Sequence, residues 1–583
     1  MTGVPQIFQA ITLISYLFFH WKGALDHESI KLKVFVNRNH IIYVQQWYLI
    51  YFEDQTENYI SQQLPLVQTL DPIQISLDGL KPYTKYNYLF HFDQLSKFNS
   101  SNITNNYEIF WFKTLQTPYL KQNLSFSFSS CAKTGSEDHV FQDIIDLFPD
   151  HQFFIQMGDI YYGDIIQNQE TLYDESYYRM FESKSQSKFY QYYGLVYIWD
   201  DHDFGDNNSG ESSPGKQAAT SVYLKNVPHY PLRYLPQDLP QKVFLFQPLI
   251  TLVIYAKYFA IIYYLSQLKQ YLNSEGIYQY FIAGQTLFVI MDLRTHFRDG
   301  VRAMDQNQLM WVIEILDWCK QNQKIDNLVV VSSIPWLGKD WVTFKEQRTI
   351  IGNKMAEVMK AKQNVLLITG DSHMVAFDNG YNNDAGGFPH CISSPMDKTP
   401  SCKGGQYTFG PFSGNSQYST LDITYDPATN INCFIVKGWR GKDVLYNYNS
   451  CNQKDRELKT SNSCFTSVLQ IFINTFVPLL LILVVLVLIW RYTLRFSNQL
   501  SHQQVAQQYI NLVKKDDQEQ NQNLHSYTFD EKQNKQPGTA QKKNSASNLN
   551  EVEREKFMNQ EIPPNQLPTF LNSAQNQKSV ENI

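Results

Sequence analysis

The stretch "GLVYIWDDHDFGDN", Gly194–Asn207, sets four aspartates, Asp200, Asp201, Asp203 and Asp206, around His202 directly after the apolar residues Leu195, Val196, Tyr197 and Ile198. A short run of β-branched and aromatic residues bounded by polar turn residues reads as a buried strand. Carboxylates crowded at the end of such a strand repel one another, so they persist only where water solvates them or cations neutralise them. The buried strand just before them argues for cations.

Working outward, three more strand-like runs end in the same way: "LSFSFSSC" at Cys131, "QFFIQMGD" at Asp159 and "NVLLITGDSH" at His373. Helical patterns lie between them, among them "DQNQLMWVIEILDWCK" (Asp305–Lys320), with Asp305 placed to cap its first turn. Strands alternating with helices indicate an α/β domain. In open α/β sheets the carboxyl ends of the strands line the ligand crevice, so the four motifs can meet in space. "MGDIYYGD" puts Asp159 and Tyr162 three residues apart; a carboxylate can bridge two cations, and a phenolate suits a hard ion such as iron(III). "GDSH" offers Asp371 and His373, Cys131 a soft thiolate, and Asp201 and His202 complete the set.

"SSC", "GDIYY", "WDDHDFGDN" and "GDSH", in this order, resemble the alkaline phosphatase D (PhoD-like) branch of the calcineurin-type metallophosphoesterases, over about Ser127–Gly380. The resemblance implies a four-layer α/β/β/α sandwich that hydrolyses phosphate mono- or diesters with a metal-held hydroxide and no phosphoenzyme. It implies a binuclear metal centre, iron(III) plus a divalent cation (calcium, zinc, manganese or iron). Asp159 would bridge, Cys131 and Tyr162 would hold the iron-type ion, and Asp201, Asp371 and His373 the second. His202 is the candidate catalytic residue. Asp200, Asp203 and Asn207 are candidates for orienting their neighbours or touching substrate. The family more often has Glu at the place of Asp203 and Asn-Asn at Asp206 and Asn207. Arg294 and Arg298 could hold phosphate or close internal salt bridges, and both readings stay open; His139 and His296 read as loop histidines.

Ahead of this region, Ser29–Thr117 is strand-like, and Leu80, Pro82, Tyr83, Tyr86 and Tyr88 resemble the corner of a fibronectin-type domain, where a tyrosine hydroxyl binds backbone. The expected organisation is a leader over 1–24, with Ile7–Phe19 as its apolar core, a β-sandwich over 29–117 and the phosphatase-like domain over 122–450. A membrane helix over 468–490 and a disordered polar tail over 491–583 follow. Val243–Leu265, within an anomalous insertion at 243–270, is apolar for a membrane's width; were it a span, His202 and His373 would lie on opposite sides and could share no site.

The chain has 583 residues, a net charge of -6 and no Lys/Arg stripe, which argues against nucleic acid as partner. Glycan acceptor patterns at Asn99, Asn102, Asn123 and Asn207, and cysteines bunched from Cys391 to Cys464, fit a single-pass protein with an extracellular or luminal ectodomain and a cytosolic tail. The oligomeric state is not legible. The expected function is hydrolysis of phosphate esters, including phosphodiesters or phospholipid head groups. The alternative is an inactive membrane-anchored adhesion or sensing ectodomain of the same fold.

Overall fold

The computed structural model describes residues 18–36, 46–65, 71–98, 107–237, 275–402 and 405–524, with residues 100, 103 and 239 besides. The insertion at 243–270 and the start of the leader, residues 1–17, lie outside the described residues, as do 525–583.

Phe18–Gly23, inside the expected leader, is strand β1, and its residues are almost wholly buried. It is followed by β2 (Ser29–Val36), β3 (Tyr48–Glu53), β4 (Ile60–Gln63), β5 (Ile73–Asp78), β6 (Lys85–His91) and β7 (Phe110–Lys113). β1, β2 and β5 are hydrogen-bonded side by side, and β4-β3-β6-β7 form a separate four-stranded sheet. Phe18 on the first group stacks on Trp47 and Phe92 from the second, with ring centroids 5.4 and 4.9 Å apart. The first described strand thus lies ahead of residue 29, where the strand-like region is expected to begin, and overlaps the leader expected over 1–24. The Tyr86 hydroxyl accepts from the backbone N–H of Lys81 at 2.9 Å, five residues upstream, as the sequence pattern suggests.

β1 also pairs in parallel with β10 (Gly194–Ile198), setting Lys22 opposite Gly194. The N-terminal strands therefore extend a nine-stranded sheet of order β20-β19-β18-β8-β9-β10-β1-β2-β5. Its other members are β8 (Leu124–Ser129), β9 (Phe153–Met157), β18 (Gln417–Asp426), β19 (Ile431–Arg440) and β20 (Asp443–Asn449). A seven-stranded sheet, β11-β12-β13-β14-β16-β15-β17, packs against it. This comprises β11 (Gln279–Ala283), β12 (Thr286–Ile290), β13 (Asn327–Ser332), β14 (Asn364–Thr369), β15 (Met374–Asp378), β16 (His390–Ser393) and β17 (Phe409–Ser413).

Why two sheets stack is written in the alternation of strand side chains. Along β12, Phe288 and Ile290 face the other sheet, whereas Leu287 and Val289 face helices; β13 and β14 divide the same way. Both faces are apolar, as a parallel strand covered on both sides requires. Phe126, Phe153 and Phe288 meet between the sheets with centroids 4.8 to 5.7 Å apart. Outside the seven-stranded sheet lie the helices Gln306–Gln321 and Lys345–Ala361, packed together. Asp305 caps the first, its Oδ1 accepting from Gln308 N–H at 2.9 Å, where the sequence placed a cap. Helices Val140–Leu147, Glu170–Glu182, Lys184–Tyr192 and Lys216–Asn226 bury their apolar residues in the core of the nine-stranded sheet.

Cys433 and Cys451 form a disulfide and Cys402 is disulfide-bonded, while Cys131, Cys319 and Cys391 are free and buried. A helix runs Cys464–Leu524. Within that helix Pro478–Arg495 is long and apolar enough to cross a membrane, and none of it is buried. The tail expected to be disordered from 491 is helical as far as Leu524, consistent with its Gln- and Lys-rich, helix-tolerant sequence.

Candidate metal centre

Parallel pairing decides which side chains can meet. Ser129 on β8 lies opposite Gln156 on β9, and Met157 opposite Ile198 on β10, so three strands stop at one edge. Pairing runs one step further, with Cys131 N–H donating to Gly158 O at 3.2 Å and Ala132 N–H to Asp159 O at 2.9 Å. From the facing sheet, β14 ends at Thr369 and delivers Asp371 and His373.

The ligand atoms converge. Cys131, Asp159 and His373 offer atoms all within 4.8 Å of one another, as do Asp159, Asp201 and His202, and Asp200, Asp201 and Asp371. Tyr162 joins them, its hydroxyl 3.2 Å from His373 Nε2. Cys131, Asp159, Asp371 and His373 all have positive φ, between 50° and 62°. Left-handed backbone in non-glycine residues costs energy, so a fold that places four of them in one cluster is holding them there. Two glycines permit the approach. Gly158 has φ +96°, and a Cβ there would stand 2.3 Å from Asp200 Cβ; a Cβ on Gly370 would meet Ser130 Oγ at 2.6 Å.

Asp203 is a brace. Its Oδ2 accepts from the N–H groups of Asp159 and Asp200 at 2.6 and 3.1 Å, and its Oδ1 from Tyr161 N–H at 3.2 Å, tying two motif loops together. Asp200 Oδ1 accepts from Arg294 Nε at 2.5 Å and from Ser333 Oγ at 2.8 Å. Arg294 is 2 % exposed, so of the two readings open for it the internal ion pair is the one observed. Asp201 Oδ2 accepts from the N–H of Asn208, while Asn207 beside it is exposed. His202 Nδ1 pairs with Asp164 Oδ1 at 2.5 Å, and its ring lies 4.2 Å from that of Tyr162. His373 Nδ1 donates to Thr399 O at 2.7 Å, which leaves Nε2 with its lone pair toward the cluster. Sequence reasoning missed Asp164 and the loop carrying Thr399.

Burial and the neighbouring Asp201, Asp200 and Asp203 push Asp159 well above the usual carboxylate range. Burial takes Asp200 to about 7 against the pull of Arg294, and Asp203 to about 8 against its backbone hydrogen bonds. Burial also acts on Asp201, but Arg294 and His202 outweigh it and hold that carboxyl low. Burial and the nearby acids push the Cys131 thiol and the Tyr162 phenol up. Asp159 Oδ1, Asp200 Oδ2 and Asp201 Oδ1 are buried with no hydrogen-bond partner. Orphaned carboxylate oxygens are costly unless a cation takes them, and with thiol, phenol and imidazole beside them the donor set fits metal ions.

No family profile matches the sequence, and no curated protein matches it. Among solved structures, a purple acid phosphatase from yellow lupin (Lupinus luteus) seeds aligns over 74% of this chain and 73% of its own, with 10% identity and a TM-score of 0.45. A structure of PhoD aligns over 77% of this chain and 92% of its own, with 13% identity and a TM-score of 0.53. The chain therefore shares its fold with PhoD, the branch that its four motifs resemble.

Proposed function

We propose that this chain is a metal-dependent hydrolase of phosphoric esters that works through a pair of cations at the strand ends. The observation that carries the reading is the convergence of three buried carboxylate oxygens that accept no hydrogen bond with a thiol, a phenol and imidazoles. Asp159 would bridge. Cys131, Tyr162 and His373 would hold one cation, an iron(III)-type ion by its donors, and Asp201 and Asp371 the divalent one, with Asp200 beside them. This division moves His373 to the Cys131 side, following the spacing of the ligand atoms.

When bound, the cations supply positive charge to the phosphoryl oxygens and lower the pKa of water. The chain's own residues set the geometry. Asp203 fixes the Asp159 and Asp200 loops, and Arg294 neutralises Asp200 from behind. Asp164 accepts the Nδ1 proton of His202, so Nε2 carries a proton only in the imidazolium form, which can donate to a leaving oxygen.

The N-terminal strands, grouped β1-β2-β5 and β4-β3-β6-β7 with the Tyr86 corner, support a fibronectin-like module. The exposed apolar helix Pro478–Arg495 supports a single-pass membrane anchor; the extracellular or luminal placing of the ectodomain rests on the glycan acceptor patterns at Asn99, Asn102, Asn123 and Asn207 alone. An inactive adhesion module of this fold is disfavoured because every ligand named is in place.

The test is the full chain purified in detergent, its metal content measured and its turnover of aryl phosphate mono- and diesters compared with Asp159→Asn. Bound metal near two per chain and hydrolysis that the substitution abolishes are expected. Equal turnover by the two proteins overturns the reading.

A further inference from the structure

Lys398 stands over the ring of Tyr162, a candidate ligand of the centre. Its Nζ is 3.4 Å from the centroid of the Tyr162 ring, and the hydroxyl of that ring reaches His373 Nε2 at 3.2 Å. Among the described residues no carboxylate lies within 4.0 Å of this ammonium. Arg294, by contrast, is consumed by Asp200 and lies 3.7 Å from Asp201. A half-buried cation beside acid-rich ligands, yet paired with none of them, has its charge available to something else.

The loop that carries Lys398 is fastened on both sides. Met396 N–H donates to Ser130 O at 3.0 Å, and Asp397 Oδ1 accepts from Lys133 N–H at 2.5 Å, which ties the loop to the Cys131 turn. Thr399 O accepts from His373 Nδ1, Ser401 N–H donates to His373 O at 2.9 Å, and Ser401 Oγ donates to Ser372 O at 2.5 Å, which ties it to the GDSH turn. Cys402 is disulfide-bonded next to these contacts. Lys398 is therefore held at the rim by the segments that supply the candidate ligands. Tyr162 also borders a cavity of about 460 Å³ lined by Thr134, Glu137, Ser176, Arg179 and Glu182, with room for the alcohol part of an ester.

Resting on the hydrolase reading above, we infer that Lys398 is a specificity-determining residue that makes this centre a phosphomonoesterase. A phosphate monoester near neutral pH is a dianion, with one more negative oxygen than a diester. The oxygens that both esters share would fall to the cations held by the ligand cluster, and the ammonium of Lys398 meets the extra one. A diester puts an alkyl or aryl group there and gains nothing from the charge.

The experiment compares the full chain with Lys398→Gln and Lys398→Arg on an aryl phosphate monoester and on the diester with the same leaving group, with inorganic phosphate as a competitive inhibitor. Metal content and melting temperature are measured alongside. The unaltered chain is expected to prefer the monoester. Lys398→Gln should lose about tenfold in kcat/KM on the monoester, chiefly through KM, and weaken phosphate inhibition to a similar degree, with far less change on the diester. Lys398→Arg should keep most of the preference. Equal losses on both esters, or none on either, overturn the inference and leave the hydrolase reading standing. Lost metal in Lys398→Gln also overturns it, since the lysine would then be supporting the ligand Tyr162. If the unaltered chain hydrolyses neither ester, the hydrolase reading fails and this inference with it.

Discussion

Two buried polar regions of this molecule are treated in opposite ways. Where β1 joins the nine-stranded sheet, His20 and Lys22 are 2% and 1% exposed with no acid beside them, yet each finds a partner. Lys22 Nζ donates to the backbone oxygens of Trp111 and Gln191, at 2.5 and 2.7 Å, and His20 Nε2 lies 2.9 Å from the Tyr88 hydroxyl. Burial resolves their charge by removing it, lowering His20 to about 3 and Lys22 to about 7. At the strand ends the same burial acts on carboxyls, but three of their oxygens are left without a donor, and the backbone around them is left-handed. Orphaned buried polar atoms occur elsewhere in the fold too, as at Gln417 Oε1 and His390 Nδ1, but at the strand ends three carboxylate oxygens gather in one cluster.

The sharpest way to break this contrast is Asp159→Asn, which keeps the shape of the side chain and removes its charge. Hydrolysis should fall at least about 10³-fold, with loss of metal. In chelator, however, the variant should melt above the unaltered chain, because one of the mutually repelling acids is gone. Calorimetry with and without chelator reads both effects. A variant that melts lower in chelator would mean that the carboxylate is satisfied by the fold after all.

Arg294→Gln tests the neutralising partner. It leaves Asp200 buried beside Asp201 without its cation, and a broken buried pair costs about 3 to 5 kcal/mol. Denaturant unfolding of the full chain in detergent should show that loss. A cost below about 1 kcal/mol would place Arg294 outside the electrostatic frame of the site.

How much of this was readable beforehand follows from range. Each candidate ligand closes a strand, so a buried apolar run ending in Gly-Asp or Ser-Cys marks it locally, and the parallel register then brings three of them to one edge. Arg294 could not be decided, because its partner Asp200 lies just past the end of β10, a strand of the other sheet. Asp164 and Lys398 carry no periodic signal; only the return of their loops onto His202 and Tyr162 gives them a role. β1 carries no strand signal of its own for a different reason: its apolar residues continue the run expected for a leader, and nothing local says that His20 and Trp21 will be covered by β6 and by helices.

Asp164→Asn sharpens the comparison within the site itself. Asp164 is half exposed and reaches the centre only through His202, so metal content should be unchanged while kcat falls about 10- to 100-fold. An unchanged kcat would mean that Asp164 does not act through His202.

The smallest effect belongs to the junction. The folded-state pKa of Lys22 is about 7 against 10.5 for a free lysine, so between those values the unfolded chain holds a proton that the folded chain does not. Stability contributed by this site therefore rises with pH across that window, by at most about 1.4 kcal/mol per unit, and is flat below pH 7, where both states are charged. Lys22→Met removes the titrating group and should flatten the rise in denaturant midpoint between pH 7 and 9, while its two carbonyl partners lose their donor and lower the midpoint at every pH. If the slope survives the substitution, the rise belongs to another group and Lys22 is charged in the folded chain.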